Sequence, residues 1–277
     1  MSAVLCRRAT AVEVAQMLDW AAEEGWNPGL DDAAAFRASD PEGFFVAELD
    51  GRAVAAISVV NHSDDFAFLG LYLCRPGFRG RGIGFALWTH ALAHAGRRTV
   101  GLDGVAAQEA NYATSGFVRA GRTRRLCGRL PAAGPHLPRE PAHDPAAIAR
   151  LDRAATGVAR PAFLREWTWN GPTRRTVLLP GPGGIAGFAT ARLCRSGCKI
   201  GPVVAPTAEE AFELAVRAAA ALDRRKVMID IPDSSAGFGR LLRAREFTET
   251  FATARMYRGP APVVGTGLQA VATLELG

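Results

Sequence analysis

No stretch of this chain approaches the roughly 18 consecutive apolar residues that a membrane-spanning helix needs, although 48% of its 277 residues are hydrophobic. That apolar fraction is ordinary for a soluble globular protein, and no membrane partner is expected. The opening residues, Met1-Ser-Ala-Val-Leu-Cys-Arg-Arg8, have no apolar core behind the arginines and do not read as a secretory signal. Cysteine is scarce. Cys6, Cys74, Cys127, Cys194 and Cys198 are an odd number, with no His/Cys cluster at metal-ligand spacing. Cys194-x-x-x-Cys198 reads as two reduced structural thiols, so no metal and a reducing, cytoplasmic setting are expected. Lysine is nearly missing: Lys199 and Lys226 stand alone among 33 basic residues, which we read as codon bias and not as function. The net charge of +6 is unevenly divided. Residues 1–130 carry 14 Arg against 14 Asp and Glu, whereas residues 131–277 carry 19 Lys and Arg against 13. The arginines of that second part are scattered and not interleaved with an aromatic ladder, so a nucleic-acid partner is not expected.

The informative stretch is Phe66-Ala-Phe-Leu-Gly-Leu-Tyr-Leu-Cys-Arg-Pro-Gly-Phe-Arg-Gly-Arg-Gly-Ile-Gly84. It opens as a buried strand, breaks at Pro76-Gly77, and passes through a glycine-rich turn into an apolar-periodic helix. A strand, such a turn and a helix N-terminus form an anion cradle, because glycines admit a ligand to the backbone and first-turn amides point at it. No Lys-Ser/Thr follows Gly84, so the Walker pattern is excluded, and the spacing G-x-G-x-G is not the dinucleotide fingerprint. Arg79-x-x-Gly82-x-Gly84 resembles the pyrophosphate loop of the GNAT superfamily of N-acetyltransferases. A second pattern, Asn111-Tyr-Ala-Thr-Ser-Gly-Phe117, resembles the same family's Leu-Tyr-x-x-x-Gly-Phe signature, with Asn111 in place of the Leu. Where the family often places an Asn, one to two turns earlier, Val105 stands.

The resemblance implies acetyl-CoA as acyl-donor co-substrate. It would be held by Tyr72, Leu73 and Cys74 on the strand, by Arg79, Gly80, Arg81, Gly82, Ile83 and Gly84 in the loop, and by Asn111 and Tyr112. It also implies that the Tyr112 phenol lies near the CoA sulfur and can protonate the leaving thiolate. A weak acid of pKa about 10 can serve a thiol of about 8.5 once both are held close.

In chain order, Thr10-Ala-Val-Glu13 is a capping box for a helix burying Val14, Met17, Leu18 and Ala21. Gly25 ends it, and Asp31 is placed to cap a second short helix. In the family this helix–loop–helix lines the acceptor pocket, which makes Trp26 a candidate wall residue or else a plug at the core edge. Phe44–Leu49 and Arg52–Val60 are strands joined by Asp50-Gly51, a two-residue hairpin signal. Thr99–Asp103 is a strand, with Asp103 at its end, either as acceptor of the amine proton or as a turn residue. Phe117–Leu130 supplies one or two closing strands.

Five prolines between 131 and 145 forbid a helix or central strand there and mark a linker over residues 131–146. Beyond it the element order repeats: helix, antiparallel strands, helix, strand, helix, strand. The strand-to-helix turn of this second half, Gly201-Pro-Val-Val-Ala-Pro-Thr-Ala-Glu-Glu210, has no Arg-x-x-Gly-x-Gly. Thr207 and Glu210 cap their own helix, and Glu209 and Glu210 repel a pyrophosphate. Trp167 and Asp230 are placed to reach the cleft between halves, or else are structural.

The expected fold class is α/β (α+β), two tandem GNAT-like domains, each a mixed, mostly antiparallel sheet flanked by helices. Residues 1–130 would bind acetyl-CoA, and residues 147–277 would form a degenerate domain covering the acceptor side. The expected activity is acetyl transfer to a primary amine, of a small molecule in preference to a protein, by direct attack in a ternary complex. The alternative is an acyl-CoA-binding sensor without turnover. The oligomeric state, a homodimer included, is left open.

Overall fold

A computed structural model describes residues 4–134 and 143–277. The first half contains β1 (Leu5–Arg8), α1 (Ala11–Glu23), α2 (Asp32–Ser39), β2 (Phe44–Leu49), β3 (Arg52–Asn61), β4 (Phe66–Cys74), α3 (Ile83–Ala95), β5 (Thr99–Gly104), α4 (Glu109–Thr114) and β6 (Val118–Arg129). The second contains α5 (Pro145–Thr156), α6 (Pro161–Trp167), β7 (Arg174–Gly181), β8 (Gly184–Leu193), β9 (Cys198–Val204), α7 (Ala208–Ala220), β10 (Lys226–Pro232), α8 (Ala236–Arg243), β11 (Thr248–Arg258) and β12 (Leu268–Ala270). Part of the expected linker, residues 135–142, lies outside the described residues, and Pro145 opens α5 behind the cap of Asp144.

The local signals act as their chemistry demands. Thr10 and Glu13 exchange backbone bonds at the start of α1, at 3.3 and 2.8 Å. Asp50 and Gly51 take positive φ and close the β2–β3 hairpin with Leu49 opposite Arg52. One local expectation is not met. Asp31 makes no cap bond to α2; its neighbour Asp32 instead accepts from the Gly29 amide at 2.8 Å, because its carboxylate is drawn into the core. The aromatic segment after Val158 is the helix α6, since Pro161 stands at its first position and pre-sets the turn.

Both halves show the mixed, mostly antiparallel order, but they share one sheet. Its strands run β1-β2-β3-β4-β5-β11-β6-β10-β9-β8-β7. The halves exchange their last long strands. β11 pairs with β5 through Ala254–Arg258 and lies between β5 and β6. β6 pairs with β10 through Thr123–Arg129 and lies between β11 and β10.

Among the described residues three large apolar cores result, beside a small cluster of Phe66, Phe68, Val158 and Tyr257. One lies under α3, where Ile83, Leu87 and Ala91 meet Phe45, Ile57 and Val100. A second joins α7 and α8 to β7–β10. The third belongs to both halves: Val14, Met17 and Phe36 pack with Ile148, Phe163 and Trp167. At its centre Trp167 stacks on Phe163 and Phe36, while the guanidinium groups of Arg174 and Arg192 sit 4.3 and 4.5 Å from its ring centroid. Those two arginines converge on Asp32 of the first half, at 2.7 and 3.2 Å. Burial alone would raise the Asp32 carboxyl, but Arg192 and Arg174 outweigh it and hold it below its usual value.

The two parallel pairs are bonded only briefly, Phe66–Leu69 against Thr99–Leu102 and Cys198–Ile200 against Val227–Ile229. Beyond those residues each pair opens. Segment 268–277 crosses both openings. In the second, β12 pairs with β9 at Val203 and Val204, and the Val271 amide donates to Asp230 O at 3.0 Å. In the first, the segment meets β4 at Gly70, where a Cβ would stand 2.0 Å from Glu275 O, and again at Phe68, against which Gly277 rests. Near its end the segment is pinned by His62, whose Nε2 lies 2.8 Å from Leu276 O, and by Arg160, which donates to Gly277 O.

Replacing Asp32 with Ala leaves two buried guanidinium groups without their carboxylate. Asp32→Ala should lose about 3–5 kcal/mol of unfolding free energy, read from urea unfolding. His62 gives a pH dependence. Burial first, and then the Arg160 charge, lower its pKa from 6.5 to about 4, and its Nδ1 is buried without an acceptor. Between pH 6.5 and 4 the unfolded chain therefore binds a proton that the folded chain refuses, so stability falls as pH falls through that window, by about 3 kcal/mol. His62→Gln keeps a donor for Leu276 O and should flatten this loss in the same unfolding measurement.

Candidate active site

The opening between β4 and β5 holds a cavity of about 870 Å³. At one end is the turn from β4 to α3. Gly80 and Gly82 have φ of 72° and 78°, and a side chain at either would meet nothing within 4 Å, so a ligand can approach the backbone there. Gly82 is the N-cap of α3 and supplies no side-chain bond. The first intrahelical bond is Ala86 N to Gly82 O at 3.0 Å, which leaves the amides of Ile83, Gly84 and Phe85 free to receive an anion. Arg79 borders this end, with Nε on Cys74 O at 2.7 Å and its outer nitrogen on Glu24.

The cavity then follows β4. Ala56 pairs with Leu73 and Ser58 with Gly70, so Leu71 and Tyr72 together face one residue, Ile57. This is a β-bulge, and Leu71 takes a φ of 48° within it. The far end is a chamber walled by Trp26 and Asn27 from the loop after α1, Arg125 and Cys127 from β6, and Met228, Phe251 and Glu275 from the second half. Asn27 locks that loop to the second half through both of its amide atoms on Ser196, at 2.7 and 3.0 Å.

Among the residues picked out by sequence, Trp26, Tyr72, Leu73, Cys74, Arg79, Gly80, Gly82, Gly84, Asp103 and Tyr112 border this one cavity. Tyr112 is nine-tenths buried, with its ring stacked on Trp88 at 5.5 Å, and its hydroxyl has no hydrogen bond among the described residues. Burial, then Tyr72, push its pKa up to about 12.

The others depart from expectation. Ile83 buries its side chain in the core under α3, so only its amide is available. Arg81 packs over Phe78 at 5.6 Å and does not border the cavity. Asn111 is exposed and donates to Gln108, which borders the cavity in its place, because α4 turns position 111 outward. Asp103 is not a free base. Its side chain is fully buried; it receives Arg255 at 2.5 and 3.1 Å, and the hydroxyls of Thr123 and Thr253 at 3.1 and 3.0 Å. It ties β5 to the two exchanged strands. Asp230 holds Arg125 at 2.8 and 2.9 Å and does not border the cavity; the arginine does. Trp167 lies in the shared core, with its indole N–H on Gly201 O at 2.9 Å, and does not border the cavity.

The model of the acetyltransferase (GNAT) family matches residues 11–121, and that of an acetyltransferase (GNAT) domain matches residues 148–265. A holothin acyltransferase from Pseudoalteromonas sp. (strain SANK 73390) is 35% identical over 94% of this chain and 90% of its own length. The chain belongs to the GNAT acyltransferases. Its fold is shared with a Pyrococcus horikoshii protein described as an acetyltransferase, at a TM-score of 0.80 and 21% identity over 99% of this chain and 96% of that one. It is also shared with a tandem GNAT protein of the clavulanic acid biosynthesis pathway, at 0.60 and 18% over 94% and 100%.

Within this GNAT enzyme the second half is built on the same plan and differs at each corresponding place. Its bulge sets Gly201 and Pro202 opposite Thr190, so Pro202, which has no N–H, stands where Tyr72 stands. The first turn of α7 is satisfied by its own capping box, with Glu210 N on Thr207 at 3.2 Å and Thr207 N on Glu210 at 3.1 Å. The opening between β9 and β10 is filled by β12. Among the described residues no group of three His, Cys, Asp or Glu could hold a metal, and no helix is long and apolar enough to cross a membrane.

Proposed function

We propose that this protein transfers an acetyl group from acetyl-CoA to a primary amine of a small molecule, by direct attack within a ternary complex. One observation carries this reading: a single cavity joins an uncapped helix N-terminus to a chamber walled by both halves. The amides of residues 83–85 and the Arg79 guanidinium receive the pyrophosphate. Past Leu69, β4 has no strand partner on the β5 side, so its main-chain groups hold the pantetheine arm as an added strand. The acyl carbonyl then reaches the Leu71 bulge, where a backbone amide holds the oxyanion. The neutral amine attacks from the chamber, and proximity supplies much of the rate.

A chamber walled by both halves supports a small-molecule acceptor, and the curated relative is named for one compound, holothin. The second half takes no acyl-CoA on this reading. Its cap, its proline and β12 occupy the corresponding positions.

The elevated pKa of Tyr112 refines its role. A phenol near 12 is a weaker acid than a thiol near 8.5 by roughly 3.5 units, so full proton transfer to the thiolate is uphill by about 5 kcal/mol. Tyr112 instead donates a hydrogen bond to the sulfur as its charge develops, and solvent supplies the proton.

Calorimetric titration with acetyl-CoA should find one site per chain, abolished in Gly82→Glu. Two sites would overturn the reading of the second half, and no binding at millimolar concentration would overturn the proposal as a whole. Binding without thiol release against a broad panel of amines would make the protein a sensor. Tyr112→Phe should lower kcat about 10- to 100-fold, the worth of one hydrogen bond to a charged group, with acetyl-CoA affinity unchanged.

A further inference from the structure

The geometry points to Glu275 as the residue that takes the proton from the attacking amine, delivered into the first half's cavity by a segment that the second half holds. This inference rests on the transfer reaction proposed above.

The carboxylates at the cavity differ in what they already bind. Asp103 is taken up by Arg255 and two threonines, and Glu24 by Arg79. Glu275 borders the cavity, is 5% exposed, and forms no ion pair among the described residues. One oxygen, Oε2, accepts from the Thr273 hydroxyl; among the described residues Oε1 has no hydrogen bond, although the charges of Arg125, Arg192 and Lys199 act on the carboxylate. Its backbone carbonyl rests on Gly70, one residue before the bulge at Leu71 and at the closed end of the β4–β5 opening. An acyl group carried along β4 arrives at that end. Glu275 is therefore a nearly buried carboxylate with a free oxygen beside the point where the thioester carbonyl must stop.

Its position depends on the second half. Five residues before Glu275, β12 ends in the opening between β9 and β10, and Val271 is bonded to Asp230. Beyond it, Gly277 N returns to Thr273 O at 3.0 Å, and His62 and Arg160 bind the next two carbonyls. The turn is thus anchored on both sides. The opening that stands free in the first half serves in the second as a clamp for the strand leading to Glu275.

In the step, the amine lone pair forms the N–C bond and the C–S bond breaks, with its electron pair going to sulfur. The nitrogen becomes acidic as it bonds, and its proton passes to Oε1, directly or through one water. Solvent returns a proton to the thiolate, giving amide and free thiol.

The test compares wild type, Glu275→Gln and Glu275→Asp. Wild type is first screened for thiol release from acetyl-CoA against a panel of primary amines, and the fastest acceptor becomes the probe. Gln keeps an oxygen for Thr273 and so preserves the turn. Glu275→Gln should lower kcat about 100- to 1,000-fold, with the acetyl-CoA dissociation constant and the unfolding midpoint unchanged. Glu275→Asp should recover part of the rate, which a purely structural role would not require. A Glu275→Gln enzyme within threefold of wild-type kcat would overturn the assignment while leaving the transfer reaction intact. A wild type that neither binds acetyl-CoA nor releases thiol would overturn both.

Discussion

A strand inside a sheet must satisfy hydrogen bonds on both of its edges, and in this chain β6 and β11 do so only by crossing between halves. β11 completes the first half beside β5, and β6 completes the second beside β10. Neither half owns a full set of strands, so the order β5-β11-β6-β10 decides how the two face each other. The chamber follows from it. Its walls include residues of β6 and β11 near the crossing, Arg125, Cys127, Phe251 and Thr253, held in register by the bonds of Asp103 to Thr123, Thr253 and Arg255.

The shared core on the other side of the molecule reinforces the same arrangement. Asp32 of the first half is enclosed by Arg174 and Arg192 of the second, with Trp167 beneath both. A buried ion pair of this kind is a weak source of net stability, but removing one member is costly, so it specifies one geometry. The loop after α1 is fixed by it and by Asn27 on Ser196. Trp26 is thereby set against the cavity.

Two copies of one plan have diverged through backbone chemistry as much as through side chains. The first keeps an uncapped helix start and a free strand edge. The second has a capping box, a proline in the bulge and a strand of its own chain in the opening. Each of these satisfies or removes a main-chain group whose counterpart stands unpaired in the first half. The second half has become a holder for segment 268–277.

The sequence alone determined most of the elements and the glycine-rich turn, because those depend on neighbours along the chain: the capping boxes at Thr10 and Thr207, the Asp50-Gly51 turn, the glycines at 80, 82 and 84, and the tyrosine four residues before Gly116. It could not assign charged and aromatic residues whose role depends on a distant partner. The sequence left Asp103, Asp230 and Trp167 each between a site role and a structural one; Arg255 beside the first, Arg125 beside the second and the core around the third are contacts that no local pattern announces. Glu275 had no local pattern to mark it. Its place beside Gly70 arises from contacts more than two hundred residues apart in the chain, and only the tertiary path of segment 268–277 brings them together.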